Sequence, residues 1–175
     1  MKKLIFSLTI LFIAAIFSLS AFSQNYDVVK KGQQVPEFSI DQNGHSFSIS
    51  DFKGSVVLIN FFATWCGPCL KEMPFLQKDV WEKFNDKNNF KMLAIGRGHN
   101  FVEVAAFKES KNLGFPVYGD KNKSIYEKFA TSYIPRNYIV DARGKIVYAS
   151  VGFSEEEFSK MVDILDRLIS ADDKD

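Results

Sequence analysis

Cys66 and Cys69, the two cysteines of this 175-residue chain, stand three residues apart in the stretch NFFATWCGPCLKEMP, Asn60 to Pro74. Two thiols at that spacing admit three chemistries: a structural disulfide, half of a metal site, or a dithiol that cycles with its disulfide. A structural bridge gains most by closing a long loop of the unfolded chain, and this one would enclose only Gly67 and Pro68. A structural zinc site wants four ligands, whereas the chain adds only two separated histidines, His45 and His99. The spacing serves redox chemistry best.

A redox pair needs a fixed platform and a first thiol that ionises easily. SVVLINFFAT, just before the pair, is a nearly continuous apolar, β-branched run, as expected of a strand buried on both faces. After it, Leu70, Met73, Phe75, Leu76, Val80 and Phe84 recur at helical spacing. They predict a helix to about Asn85, kinked where Pro74 interrupts it. Cys66 then falls at the tip of a strand and the N-terminus of a helix, where unpaired N–H groups and the helix dipole favour a thiolate. Cys69 follows one turn later on the same face, within disulfide reach. Gly67 allows a tight approach, and Pro68 suits the first helical turn, where its missing N–H costs nothing. In this reading Cys66 is the exposed nucleophile, Cys69 the shielded resolving thiol, and Trp65 flanks the reactive sulfur. His45, beside the Asn43-Gly44 turn, reads as exposed and idle.

The remaining elements frame that platform. EFSIDQNGHSFSISDF alternates apolar and polar residues around Asn43-Gly44, a β-hairpin signal. FKMLAIG is a second buried strand, Val102 to Asn112 an amphipathic helix, and FPVYGD a short strand or extended connector. NKSIYEKFAT reads as another helix, and NYIVD with IVYASVG as a hairpin turning at Ala142 to Lys145. Ser154, followed by Glu155 to Glu157, opens a terminal helix with an N-cap and acids in its first turn. The order gives a single α/β domain over residues 24–175: a central mixed sheet flanked by helices, with an extra N-terminal hairpin.

Lys+Arg number 22 and Asp+Glu 21, a formal net charge of +1, with no basic stripe of the kind a nucleic-acid binder carries. Residues 1–23 differ from the rest. Lys2 and Lys3 precede an apolar run from Leu4 to Leu19, and the small residues Ala21 and Ser23 stand three and one before a cut ahead of Gln24. That is the layout of a secretory signal peptide. No charge occurs between Leu4 and Tyr26, so an uncleaved membrane anchor is the alternative. Either way the folded part is periplasmic or otherwise extracytoplasmic.

On DFKGSVVLINFFATWCGPCLKEMP, GFPVYGD and YIPRNYIVDARGKIV, from about Val35 to Phe158, the chain resembles the thioredoxin superfamily. Within it the chain looks most like the TlpA/ResA-like extracytoplasmic thiol-disulfide oxidoreductases. The resemblance implies a thioredoxin fold with an extra N-terminal hairpin and a redox-active Cys66–Cys69 disulfide. It also implies a cis proline facing the pair, which maps onto Pro135 after Ile134. Protein substrates bearing disulfides or thiols, a membrane-linked electron donor, a monomeric state and no cofactor go with it. Gly-Pro between the cysteines is the dipeptide of reducing thioredoxins, so a reductase is expected.

Two positions depart from the family pattern. Arg136 stands where relatives often carry Thr; it reads either as a surface charge or as a group that binds the partner or tunes Cys66. The place of a glutamate often found near the cysteines, counted back from FPV, falls at His99. An imidazole is then the candidate proton-transfer group, with an ordinary loop histidine as the plainer reading. The alternatives are a peroxiredoxin-like thiol peroxidase, suggested by QQVPEFSIDQNG, and a metal-binding or delivery module using Cys66, Cys69 and a histidine. The peroxidase reading lacks the Pro-x-x-x-Thr-x-x-Cys setting. Intact-mass analysis of protein recovered from the cell envelope is expected to show a chain beginning at Gln24; a mass retaining Met1 to Ser23 would identify the anchored form.

Overall fold

The computed structural model describes residues 26–172, so the segment read as a signal peptide or anchor lies outside the described residues. Strands β1 (Ser39–Gln42) and β2 (His45–Ser48) form an antiparallel hairpin. Its turn residues Asn43 and Gly44 both have positive φ, 51° and 77°, the conformation an Asn-Gly hairpin turn requires.

Among the described residues, five strands build the main sheet: β3 (Val56–Phe62), β4 (Phe90–Arg97), β5 (Val117–Asp120), β6 (Arg136–Val140) and β7 (Ile146–Val151). Their order is β5-β4-β3-β6-β7, with β3, β4 and β5 parallel and β6 and β7 antiparallel to their neighbours. Helix α1 (Gly67–Phe75) leaves the C-terminal end of β3. It runs on as a π-helical segment, Leu76–Trp81, and a last α-helical turn, Glu82–Phe84. Pro74 has no N–H to offer the preceding turn, and the change of helical pitch follows directly after it. Helix α2 (Phe101–Ser110) starts at a capping box made by Asn100 and Glu103, and α3 (Glu155–Asp172) closes the chain.

Every residue of β3 is buried, because both faces of this central strand are covered. Val56, Leu58 and Phe62 pack toward one cluster with Cys69, Met73, Leu76 and Leu165, while Val57, Ile59 and Phe61 join Phe38, Ile40, Phe129 and Tyr138. The uninterrupted apolar run is the price of a strand with no wet side. Asn60 alone breaks it.

The helix expected over NKSIYEKFAT is a correction: only the 3-10 turn Tyr126–Lys128 forms there. The Asp120 carboxylate accepts the N–H groups of Ile125 (3.2 Å) and Tyr126 (2.8 Å), and Lys123 sits at φ 60°. These contacts and the burial of the Tyr126 ring override local propensity. The hairpin is tied to the edge of the sheet by Gln42, whose amide donates to the Gly119 carbonyl at 2.6 Å and accepts the Gly119 N–H at 2.8 Å.

Gly119 also makes the closest approach in this corner. A Cβ there would lie 2.5 Å from the Asn100 carbonyl carbon and 2.6 Å from the Phe101 nitrogen, backbone atoms that cannot swing aside. Gly119→Ala is expected to lower stability by about 1–3 kcal/mol in urea denaturation; an unchanged midpoint would show that β5 and the start of α2 separate freely.

Candidate active site

Beyond Phe62 the chain turns through Ala63 to Trp65 and delivers Cys66 as the N-cap of α1. Its Sγ accepts the Cys69 N–H at 3.3 Å, and its carbonyl accepts the Leu70 N–H at 3.0 Å. The sulfurs of Cys66 and Cys69 are joined, with their Cα atoms 5.2 Å apart. Cys66 keeps 6% of its surface and Cys69 none, so the thiol expected to be exposed is itself largely buried in the oxidised pair, and only slightly more open than its partner. Pro68 sits in the first turn of α1, next to Gly67. Trp65 is 68% exposed, a rim residue beside the disulfide.

Facing the pair is the loop that leads into β6. The Ile134–Pro135 peptide bond is cis, and the Ile134 carbonyl oxygen lies 3.7 Å from Cys66 Sγ. The Pro135 carbonyl accepts the Gly152 N–H at 2.9 Å, which ties the loop to the end of β7. Arg136 is 3% exposed, and this corrects its reading as a surface charge. Its guanidinium donates to the Ser132 carbonyl from Nε (3.0 Å) and Nη2 (2.8 Å), and to the Tyr133 carbonyl from Nε (3.2 Å). It also pairs with Asp27 and reaches the Tyr138 hydroxyl at 3.4 Å.

His99 is largely buried, and both ring nitrogens have partners. Nε2 accepts the Thr64 N–H at 3.2 Å and lies 3.4 Å from Thr64 Oγ1, while Nδ1 lies 3.4 Å from a Glu103 carboxylate oxygen. An acceptor at Nε2 places the ring proton on Nδ1, toward Glu103. These contacts hold the turn before Cys66; none of them assigns His99 a proton from Cys69. The metal-module reading also lacks a geometry, since the described residues contain no cluster of three or more His, Cys, Asp or Glu fit for an ion.

A carboxyl group does lie close by, on α1 itself. Glu72, one turn beyond Cys69, is 1% exposed. Its Oε2 accepts Asn60 Nδ2 at 3.0 Å and its Oε1 accepts Asn137 Nδ2 at 2.6 Å, while Asn60 Nδ2 also donates to Asn137 Oδ1 at 2.8 Å. Asn60 and Asn137 are register partners across β3 and β6, so the sheet aims both amides at the helix. Burial pushes the Glu72 pKa up from 4.5 to about 7, against the pull of the two amide hydrogen bonds. The sequence carried this signal in two places: a Glu three residues after Cys69, and a lone Asn inside an apolar strand. The count from FPV to His99 missed both.

The Redoxin family model matches residues 30–165. Thiol-disulfide oxidoreductase ResA of Bacillus cereus is 31% identical over 89% of this chain and 92% of its own length. Thioredoxin-like protein YneN of Bacillus subtilis is 34% identical over 78% and 81%. Among solved structures, a putative protein disulfide isomerase from Bacteroides thetaiotaomicron superposes with a TM-score of 0.79 at 34% identity, covering 83% of this chain and 93% of that one. StoA from Bacillus subtilis, at 22% identity and TM-score 0.59, shares the fold. The chain belongs to the Redoxin family, as a thiol-disulfide oxidoreductase of the ResA type with a thioredoxin fold.

Glu72 makes stability depend on pH. Its folded-state pKa of about 7 exceeds the ordinary 4.5, so the folded protein holds this proton more tightly than the unfolded chain. Its contribution is fully present below about pH 4.5 and is lost as pH rises through 7, by on the order of 3 kcal/mol. Urea denaturation of the oxidised protein is expected to show this decline in the wild type and a flatter profile in Glu72→Gln. Parallel profiles would mean that Glu72 titrates normally.

Proposed function

We propose that the protein is an exported reductase of protein disulfides. The observation that carries this reading is the asymmetry of the pair: Cys66 caps a helix N-terminus and keeps some surface, and Cys69 is fully buried one turn from the buried carboxyl group of Glu72. In the reduced protein the Cys66 thiolate attacks one sulfur of a substrate disulfide. A mixed disulfide forms, and the other substrate sulfur leaves as a thiolate. Cys69 then loses its proton to the Glu72 carboxylate and attacks Cys66 Sγ. The second substrate thiolate departs, and the Cys66–Cys69 disulfide holds the two electrons' worth of oxidation. A dithiol donor must restore the reduced pair.

A polypeptide partner fits the surroundings. Of the five large hydrophobic side chains exposed among the described residues, four lie in segments linked to the disulfide turn or to the cis-proline loop by sequence, strand register or a hydrogen bond. Trp65 precedes Cys66, and Tyr133 precedes Ile134. Val151 is the register partner of Arg136, and Val102 is the second residue of the helix whose preceding loop His99 holds against Thr64. Apolar side chains gathered around one reactive group mark a docking surface better than the same residues scattered. The Gly-Pro dipeptide supports the reducing direction. The signal-like N-terminus supports an extracytoplasmic site supplied by a membrane-linked donor.

Trapping separates the two sulfurs. Cys69→Ala is expected to accumulate mixed disulfides with partner proteins, reversible by added dithiol, because nothing else reaches the covalent intermediate. Cys66→Ala is expected to accumulate almost none and to lose reduction of insulin disulfides. Equal trapping by both variants, or insulin reduction surviving in Cys66→Ala, would overturn the assignment.

A further inference from the structure

We infer that Asp27 and Arg136 form a clamp through which the N-terminal segment fixes the cis-proline loop, making Asp27 a positioning residue for the docking of polypeptide disulfides. The inference rests on the reading above, in which that loop forms one edge of the docking surface.

The segment beginning at Tyr26 runs along the stretch that precedes the loop. The Thr131 N–H donates to the Tyr26 carbonyl at 2.9 Å, the Val28 N–H donates to the Phe129 carbonyl at 2.9 Å, and Asp27 bridges Ala130 in antiparallel fashion. The Tyr26 ring meets the Tyr133 ring edge-on, with centroids 4.8 Å apart. This backbone pairing carries the Asp27 carboxylate to the Arg136 guanidinium.

Arg136 converts that single ion pair into control of the loop. Its planar fork reaches the carboxylate on one side and the Ser132 and Tyr133 carbonyls on another, a geometry an ammonium group could not reproduce. The Tyr133 carbonyl takes a second donor, the Tyr126 hydroxyl at 2.7 Å. Tyr133 itself sits at φ 68°, a left-handed conformation uncommon for a bulky residue, which its surroundings must hold. The next carbonyl along the chain is that of Ile134, 3.7 Å from Cys66 Sγ. Only Pro135 therefore stands between the buried cation and the residue whose carbonyl faces the reactive sulfur.

Removing the anion leaves Arg136, almost wholly desolvated, with a charge its neutral partners balance less well. The fork then turns toward water, and its hold on the Ser132 and Tyr133 carbonyls loosens. The Asp27 side chain is 44% exposed, so it can be changed without opening the core. What suffers is the edge a polypeptide lies along. A small disulfide needs only the outer sulfur.

The test compares wild type, Asp27→Asn and Asp27→Glu on two substrates: insulin, and the small disulfide oxidised glutathione. Asp27→Asn is expected to raise KM for insulin about fivefold or more with kcat little changed. Its rate with oxidised glutathione should stay within about twofold of wild type, and Asp27→Glu should recover most of the insulin KM. An unchanged insulin KM in Asp27→Asn, or equal losses on both substrates, would overturn the clamp. A wild-type protein unable to reduce insulin would instead overturn the proposed function, whatever the variants do. Arg136→Lys, which keeps the charge but loses the fork, is a second probe: a KM rise confined to insulin supports the clamp, and wild-type kinetics contradict it.

Discussion

The hydrogen bond from the Cys69 N–H to Cys66 Sγ exists because a helix begins one short turn after a buried strand has ended. That coincidence constrains much of the chain. The strand must be central and covered on both faces, so β3 is apolar except where it serves the site. The helix must start without delay, so a proline that needs no N–H partner occupies its first turn. Pro74 then disturbs the same helix further on, where the pitch changes and the reactive end is left regular. The sulfur at the helix N-terminus can carry negative charge, and the one a turn inside cannot do so until its proton has somewhere to go.

Glu72, proposed above to take that proton, is held between opposing forces. Burial favours the neutral Glu72, while amide donors from Asn60 and Asn137 favour the carboxylate. Burial wins, but only far enough to bring the pKa to about 7. Asn60 Oδ1 itself is buried without a hydrogen-bond donor. An Asn pair across two strands is thus more than a satisfied polar patch in the core, because it sets how readily one carboxyl group changes state near neutral pH.

What was legible in the sequence followed from strong, local signals. The nearly continuous apolar run of β3, the Asn43-Gly44 turn and the cysteine spacing each specify their structure through a few adjacent residues. What was not legible depended on partners distant in the chain. Tyr126 looked helical because its neighbours are, but Asp120 and the core claimed it. Arg136 could be read either as a surface charge or as a group acting at the site, because Asp27, its counter-ion, lies 109 residues away. Glu72 was overlooked because its meaning comes from an Asn on each of two strands, and the family count pointed to a different loop. His99 touches the turn at Thr64, a contact that requires knowing where β4 ends relative to β3.

The central claim is that this pair donates electrons to protein disulfides. The reduction potential of the Cys66–Cys69 couple, measured by equilibration with defined thiol–disulfide buffers at pH 7, tests it most directly. A reductase should lie near the thioredoxin value of about −270 mV. A value near that of the strong oxidant DsbA, about −120 mV, would mean that the reduced pair is too stable to donate, and would contradict the reducing direction.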